Sequence, residues 1–173
     1  LHLPWTQSFV RDSRIIWSGW SAGPGLLAEA DDNALAFSVS APSAANETLA
    51  QALADGQYLR ATLSGAVDLR NAEIRFSTRR IDFHAPLGYA LFTNLTGFAE
   101  GDALYVSSSV SKDNFDEIVH TVRLPSTPAF AAITTLELRI YAFGAQFDRH
   151  ATSLAGFKLT APLKGRRRAV SPR

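Results

Sequence analysis

The sequence contains neither cysteine nor methionine among its 173 residues. Without cysteine, a disulfide framework, a thiolate metal site and cysteine catalysis are all excluded. The longest apolar stretches are much shorter than the ~18 to 20 residues that a membrane-spanning helix needs, so membrane insertion is not expected. Charged residues are few, at 19%, whereas apolar residues reach 46%. This composition and length indicate one compact domain with its own hydrophobic core.

The net charge of +1 hides an uneven distribution. Residues 161–173 contain five basic side chains and no carboxylate, and removing those five from the 17 basic residues leaves 12 against 16 acidic ones. The rest of the chain is therefore mildly acidic, so a basic surface for nucleic acid is not expected. We predict a single β-sandwich module over residues 1–160 and a basic tail or linker over residues 161–173.

Apolar and polar residues alternate in many short runs, which is typical of half-buried β-strands. The clearest runs are 34–39, 58–63 and 72–77, and further candidates lie around 14–18, 88–93, 103–108, 117–124, 135–143 and 154–160. Glycine, proline, asparagine and aspartate separate them. The helices that a parallel α/β fold would need between its strands are missing. The pattern predicts an all-β protein, an antiparallel two-sheet sandwich or jelly roll.

One short helix is expected around residues 47–54. Asn46 is placed to cap its first turn, and Gly56 is placed to end it. Leu49 and Leu53 are four residues apart, so they share a face that we expect to cover one end of the sandwich.

Motifs for catalysis or cofactor binding are missing: there is no G-x-G-x-x-G, Walker loop, G-x-S-x-G or H-E-x-x-H. No two of the four histidines have the spacing of metal ligands on a helix. His120 shares its strand parity with Ile118 and Val122, which predicts an inward-facing, hydrogen-bonded ring. The acidic run 113–117 has oxygen ligands suited to calcium, but its spacing is not that of an EF-hand, and a solvated turn is the favoured interpretation.

The sides of the strands that face away from the core carry tyrosine, arginine and glutamate. Aromatic rings stack on the apolar face of a sugar, and arginine forms paired hydrogen bonds with hydroxyl, carboxylate or sulfate groups. Exposed arginines that only form cross-strand pairs are the alternative. If the strands are neighbours, one open face would bind a ligand through Tyr58, Arg60, Arg75, Arg79, Arg139 and Tyr141. Trp20, in a Gly/Ser-rich segment, is either a further stacking platform or a plug of the sandwich.

Three segments together resemble a group of extracellular bacterial jelly-roll modules. They are the helix-to-strand run 48–59, the segment 88–98 with its Gly97-Phe98 pair, and the strand 136–145. The resemblance covers residues 33–160 and implies a non-catalytic β-sandwich similar to carbohydrate-binding modules. Such modules are attached to polysaccharide-degrading enzymes or to surface-sorted proteins. The group often has aspartate where this chain has Thr96, and Asp-Asn where it has Ala155-Gly156, which removes oxygen ligands of a calcium site.

The predicted function is recognition of a polysaccharide, with an acidic polymer as one option, outside the cell or at its surface. Covalently attached enzyme or surface-protein domains are the expected partners, and no cofactor is predicted apart from the calcium discussed above. A jelly-roll polysaccharide lyase is the first alternative, with His84, Tyr89 and Arg139 as its available parts. A structural or adhesive surface domain without a small ligand is the second.

Overall fold

A computed structural model describes residues 15–30, 35–39, 48–81, 83–108, 110–111, 113–145 and 151–161. Its strands are, in chain order, β1 (Ile16–Ala22), β2 (Leu26–Ala30), β3 (Leu35–Val39), β4 (Tyr58–Val67), β5 (Glu73–Arg80), β6 (Gly88–Thr93), β7 (Tyr105–Val106), β8 (Ile118–Arg123), β9 (Ile133–Phe143) and β10 (Ala151–Thr160). One α-helix, α1 (Leu49–Ala54), precedes β4, and two short 3₁₀ turns lie at Glu100–Asp102 and Pro128–Phe130.

The strands form two five-stranded antiparallel sheets. Sheet A has the order β1-β4-β9-β6-β7, and sheet B has the order β2-β3-β10-β5-β8. From β3 to β6 each successive strand changes sheet, and so does each strand from β7 to β10. This is the jelly-roll arrangement of eight strands, which β1 and β2 extend by one strand in each sheet. The predicted all-β, two-sheet sandwich with one short helix is confirmed.

The core lies between the sheets and follows directly from the alternation of the sequence. On β4 the inward residues Leu59, Ala61 and Leu63 are buried, and on β9 the inward residues Leu136, Leu138 and Ile140 are buried. Sheet B contributes Ile74 and Phe76 from β5 and Leu154 and Phe157 from β10. Because side chains alternate between the two sides of a strand, the intervening residues of β4, β5 and β9 face outward.

The helix begins two residues later than expected. The Thr48 hydroxyl accepts a hydrogen bond from the Gln51 backbone N–H at 3.2 Å, so Thr48 caps the helix, whereas Asn46 lies outside the described residues. Gly56 follows with φ of 67°, a left-handed conformation that glycine adopts at little cost. No helix in the described part of the chain has both the length and the apolarity to span a membrane.

The expectation that the helix covers one end of the sandwich is wrong, because α1 lies against the outer side of sheet A. Leu49 and Ala52 pack there in a second apolar cluster with Ala90, Phe92 and Tyr141. The outward residues of β6 and β9 are apolar or aromatic at this point, so the helix buries a surface that water would otherwise contact.

A β-bulge interrupts β10 where it pairs with β5. The pairing register shifts between Ala155 and Lys158, and Gly156 within the bulge has φ of 60°. The extra residue lets Leu154 and Phe157 both point into the core, while Ala155 and Lys158 both lie on the outer face of sheet B.

Candidate functional site

The sequence-predicted contact residues do not form one surface. Tyr58 and Arg60 on β4 are register partners of Tyr141 and Arg139 on β9, so these four lie together on the outer face of sheet A. Arg75 and Arg79 are exposed on β5, which belongs to sheet B on the opposite side of the core. The prediction of a single six-residue face is therefore wrong. Alternation tells which side of its own strand a residue occupies, but it does not tell which sheet the strand joins.

Trp20 is not an exposed platform. Its side chain has no solvent-accessible surface, and its ring lies 5.1 Å from that of Phe157 and 5.4 Å from that of Trp17, both in edge-to-face geometry. The pairing register of β1 shifts between Trp17 and Trp20, and this shift lets both rings point inward. Their register partners on β4, Leu63 and Ala61, are themselves buried. Trp20 is a core residue, and its interpretation as a stacking platform is corrected.

The centre of the sheet A face is a stack of two aromatic rings and a guanidinium group. The Arg139 guanidinium carbon lies 3.8 Å from the ring centroid of Phe98 and 4.4 Å from that of Tyr58. Its Nε donates to Glu137 Oε1 at 2.7 Å, in a salt bridge whose two side chains are about one quarter exposed. Rings on either side and a carboxylate beside it hold the guanidinium in one orientation.

The loop that supplies Phe98 depends on a glycine. Gly97 has φ of 113°, and a Cβ atom at this position would collide with the carboxylate of Asp102. That carboxylate accepts a hydrogen bond from the Ala99 backbone N–H at 2.9 Å. The glycine therefore lets the turn close tightly enough to bring the next ring, Phe98, onto Arg139.

Arg60 is the solvent-exposed cation of the same face. It is exposed, it lies opposite Arg139 in the β4–β9 pairing, and its Nε donates a 3.4 Å hydrogen bond to the Ser21 hydroxyl. Within the described ranges, no carboxylate forms a salt bridge with it. Glu137 forms a salt bridge with Arg139 and is the register partner of Thr62, so the two arginines stand side by side on neighbouring strands, and such like-charge neighbours repel.

Tyr141 is buried beneath α1, so it supports the neighbouring rings and is not exposed to a ligand. Its side chain is only 2% exposed beneath α1, and its ring centroid lies 5.2 Å from those of Phe92 and Tyr58. Burial raises the pKa of Tyr141, although the neighbouring Arg139 opposes this shift. Its ring has no free face for a sugar, so the expectation of direct stacking on Tyr141 is wrong. Tyr58 is half-buried and therefore remains partly accessible.

The three residues considered for a lyase do not converge. Tyr89 is buried in the core between the sheets, where its hydroxyl shares a 2.8 Å hydrogen bond with Thr152. Arg139 lies on the outer side of the same sheet, and His84 lies in the loop before β6. A base and a carboxylate-neutralising group on opposite sides of a sheet cannot act on one sugar. In the described part of the chain, no group of three or more His, Cys, Asp or Glu side chains is arranged to hold a metal ion.

His120 is the inward-facing, hydrogen-bonded histidine that its strand parity predicts. Its Nε2 is 2.8 Å from the Thr78 hydroxyl, its Nδ1 is 3.1 Å from the Tyr105 hydroxyl, and its ring stacks on Phe76. Burial lowers its pKa from 6.5 to about 4, so the ring is neutral at physiological pH. It belongs to the core and is not a ligand of the outer faces.

Sequence reasoning did not select Phe98 and Glu137 as members of the site. Glu137 shares its parity with Arg139 and is two residues away, so the alternation alone already placed it on the same face. The signal for Phe98 was the Gly97-Phe98 pair, since a glycine with a positive φ often marks a constrained turn that positions its neighbour. Its contact with Arg139 joins residues 41 positions apart and could not be derived from spacing.

A scan of protein-family models and a search of curated proteins both find no match to the chain. Several solved structures have a similar fold. One is a carbohydrate-binding module of the CBM28 group, specific for non-crystalline cellulose, at 11% identity over 90% of this chain and 93% of that one, with a TM-score of 0.49. Another is the CBM22-1 xylan-binding domain of Paenibacillus barcinonensis Xyn10C, at 13% identity over 83% and 86% of the two chains, with a TM-score of 0.49.

A third is an arabinose-bound α-L-arabinofuranosidase, at 15% identity over 83% of this chain and a TM-score of 0.48. This chain spans 23% of that enzyme's length. Further carbohydrate-binding modules, among them a CBM27 module in complex with mannohexaose, are also similar in structure to the chain. At these identities the likeness is one of fold, and it assigns no ligand.

Proposed function

We propose that the chain is a non-catalytic carbohydrate-binding module that holds a polysaccharide against the outer face of sheet A. The observation that carries the proposal is the group formed by Arg60, Glu137 and Arg139 on adjacent strands, with Tyr58 and Phe98 beside it. These side chains combine hydrogen-bond donors, acceptors and half-buried aromatic rings, which are the groups that bind the hydroxyls and the apolar faces of sugars.

Rigidity supports binding at this place. Arg139 is fixed by two rings and by Glu137, and β4 and β9 are central strands of their sheet. A ligand therefore meets groups whose freedom is already restricted, which reduces the entropy lost on binding. Arg60, open and without a carboxylate partner among the described residues, is the group that would bind the sugar hydroxyls most directly, or the carboxylate of an acidic sugar.

A module of this kind would act outside the cell or at its surface, where polysaccharides are found, and would keep an attached enzyme or surface protein near its polymer. Affinity would be modest, because every sugar hydroxyl that binds the protein first gives up a hydrogen bond to water.

The test is calorimetric titration of the full chain with two soluble neutral polysaccharides, xylan and hydroxyethyl cellulose. We expect Arg60→Ala to weaken binding about tenfold, since hydrogen bonds that involve a charged group are worth roughly 1.5 to 3 kcal/mol. Arg75→Ala is the matched control, because it removes the same charge from an exposed strand position of the other sheet. Equal losses in both variants, or no binding of any polymer by the wild-type chain, would reject the sheet A site.

A further inference from the structure

The outer face of sheet B carries exposed charges that the proposed sheet A site does not use. The charged residues that lie on this face of β5, β8 and β10, with Glu117 just before β8, are four cations and two carboxylates: Arg75, Arg79, Arg123, Lys158, Glu73 and Glu117. The rest of residues 1–160 is acidic overall, so this local excess of positive charge stands apart from its surroundings.

Two of the cations lie directly opposite each other on neighbouring strands. Lys158 is the register partner of Arg75, and the bulge in β10 keeps its side chain on the outer face. Directly opposite side chains on neighbouring antiparallel strands have Cβ atoms about 5 Å apart, and like charges so placed repel each other. The nearest carboxylate on β5, Glu73, pairs in register with Arg123. Among the described residues, no carboxylate forms a salt bridge with Arg75 or Lys158.

A hollow of about 190 Å³ lies further along the same face, and its lining includes Ser77, Arg79, Glu117 and Ser153. The Ser77 hydroxyl donates to the Ala155 carbonyl at 3.2 Å, within the bulge, and Arg79 Nε donates to the Phe115 carbonyl at 3.1 Å. The lining offers hydroxyls, one guanidinium group and one carboxylate. This mixture of donors and acceptors matches a neutral, hydroxyl-rich group better than a second anion.

Arg75 and Arg79 are four residues apart on β5, which separates them by roughly 13 Å along the strand. A ligand that reaches both places is therefore extended, with an anionic group at one place and hydroxyls at the other. We propose that the outer face of sheet B is a second binding surface, for an anionic polysaccharide: Arg75 and Lys158 bind its carboxylate or sulfate, and the hollow beside Arg79 binds a neutral sugar ring. The carboxylates of Glu73 and Glu117 on this face disfavour the continuous phosphate backbone of a nucleic acid.

The test compares single charge-removing variants of the full chain. Hyaluronan, which carries carboxylates, and κ-carrageenan, which carries sulfates, are the probes, because a charged ring alternates with a neutral ring in both. They are titrated at low and at physiological salt concentration. We expect Arg75→Ala and Lys158→Ala each to weaken binding of one or both polymers about tenfold. Arg70→Ala removes the same charge from the turn between β4 and β5, where Arg70 pairs with Asp68, and should change the binding of the affected polymer less than about twofold. Preference for one polymer identifies the anionic group and is consistent with the proposal.

Two outcomes would overturn it. If Arg75→Ala and Lys158→Ala bind both polymers as tightly as wild type, the anion is held by charges elsewhere, such as the basic residues of 161–173. If duplex DNA binds as tightly and with the same sensitivity to Arg75→Ala, the surface recognises charge alone and is not a polysaccharide site. The sheet A proposal is tested separately, by xylan. If Arg60→Ala weakens xylan binding and Arg75→Ala leaves it unchanged, the sheet A proposal stands even where the sheet B proposal fails.

Discussion

The outer faces of the two sheets arise from the same alternation of residues, yet they have become different surfaces. On sheet A, α1 and the loop of Phe98 pack over the outward residues of β6 and β9, and Arg139 is held between two rings. On sheet B, Arg75, Arg79 and Lys158 are exposed, and two of them face each other as like charges. An outward position therefore does not define a residue's role. Its role depends on what packs over it and on the charge opposite it. These decide whether the residue supports the fold or contacts a ligand.

The largest effect should come from Tyr141→Ala, which tests how much the covered part of sheet A contributes to stability. The ring is 2% exposed and packs with Phe92 and under Leu49. Removing a buried aromatic ring leaves a cavity and should lower the free energy of unfolding by about 3 kcal/mol or more. Urea denaturation measures it, with Tyr141→Phe as the control, which should lose less than about 1 kcal/mol because only the 3.4 Å contact with Arg139 disappears. A loss below about 1 kcal/mol for the alanine variant would show that α1 does not depend on this ring.

The second effect concerns the core between the two sheets, where the Tyr105 hydroxyl of sheet A lies within hydrogen-bond distance of the His120 ring of sheet B. The pKa of His120 is about 4 in the folded chain and 6.5 in the unfolded chain, so the neutral ring is favoured on folding. Its contribution to stability is complete above pH 6.5, declines as the pH falls, and is lost once the pH passes through about 4. The total is about 3 kcal/mol at 1.36 kcal/mol per pKa unit.

Urea unfolding at pH 7 and at pH 4 measures this loss. His120→Gln, which stays neutral over that range, should remove most of the difference between the two pH values. An unchanged pH dependence in the glutamine variant would assign the response to other groups.

Arg139→Ala should lower the free energy of unfolding by about 1 to 2 kcal/mol, because two cation–π contacts disappear and Glu137 is left without its partner. Arg75→Ala, which removes an exposed arginine of sheet B, should change it by less than about 0.5 kcal/mol. Thermal or urea unfolding of both variants compares the two faces directly. Similar losses would mean that the ring stack adds no stability.

The smallest effect should be a gain. Lys158→Gln removes one of the two cations that face each other on sheet B and should raise the free energy of unfolding by about 0.3 kcal/mol at low salt. The gain should shrink at high salt because the repulsion is screened. A loss of stability at low salt would indicate that the ammonium group has a favourable partner in the folded chain.

The alternation of the sequence was sufficient to predict the two-sheet sandwich, the core parity of β4 and β9, and the inward position of His120. These are local properties, since neighbouring side chains on a strand must point in opposite directions. The short helix was predictable from other local signals, namely the capping residues at its ends and the spacing of Leu49 and Leu53, although its cap is Thr48 and its first residue is Leu49.

The site required information that no local pattern contains. Arg60 and Arg75 look equivalent in sequence, but the jelly-roll order places their strands in opposite sheets. Tyr141 looks exposed by parity and is buried because α1, more than 80 residues earlier, packs over it. Trp20 looks like a loop residue and faces inward because β1 has an irregular register. Each error concerns a contact between distant segments.

The two sheets stand back to back, with their outer faces directed away from each other across one shared core. Sheets packed in this way are only about 10 Å apart. If each face binds a polymer, a single copy of this module would cross-link two polysaccharide chains instead of anchoring itself to one. Its presence should then raise the viscosity of a solution that mixes a neutral and an anionic polysaccharide, a property that one-sided binding cannot produce.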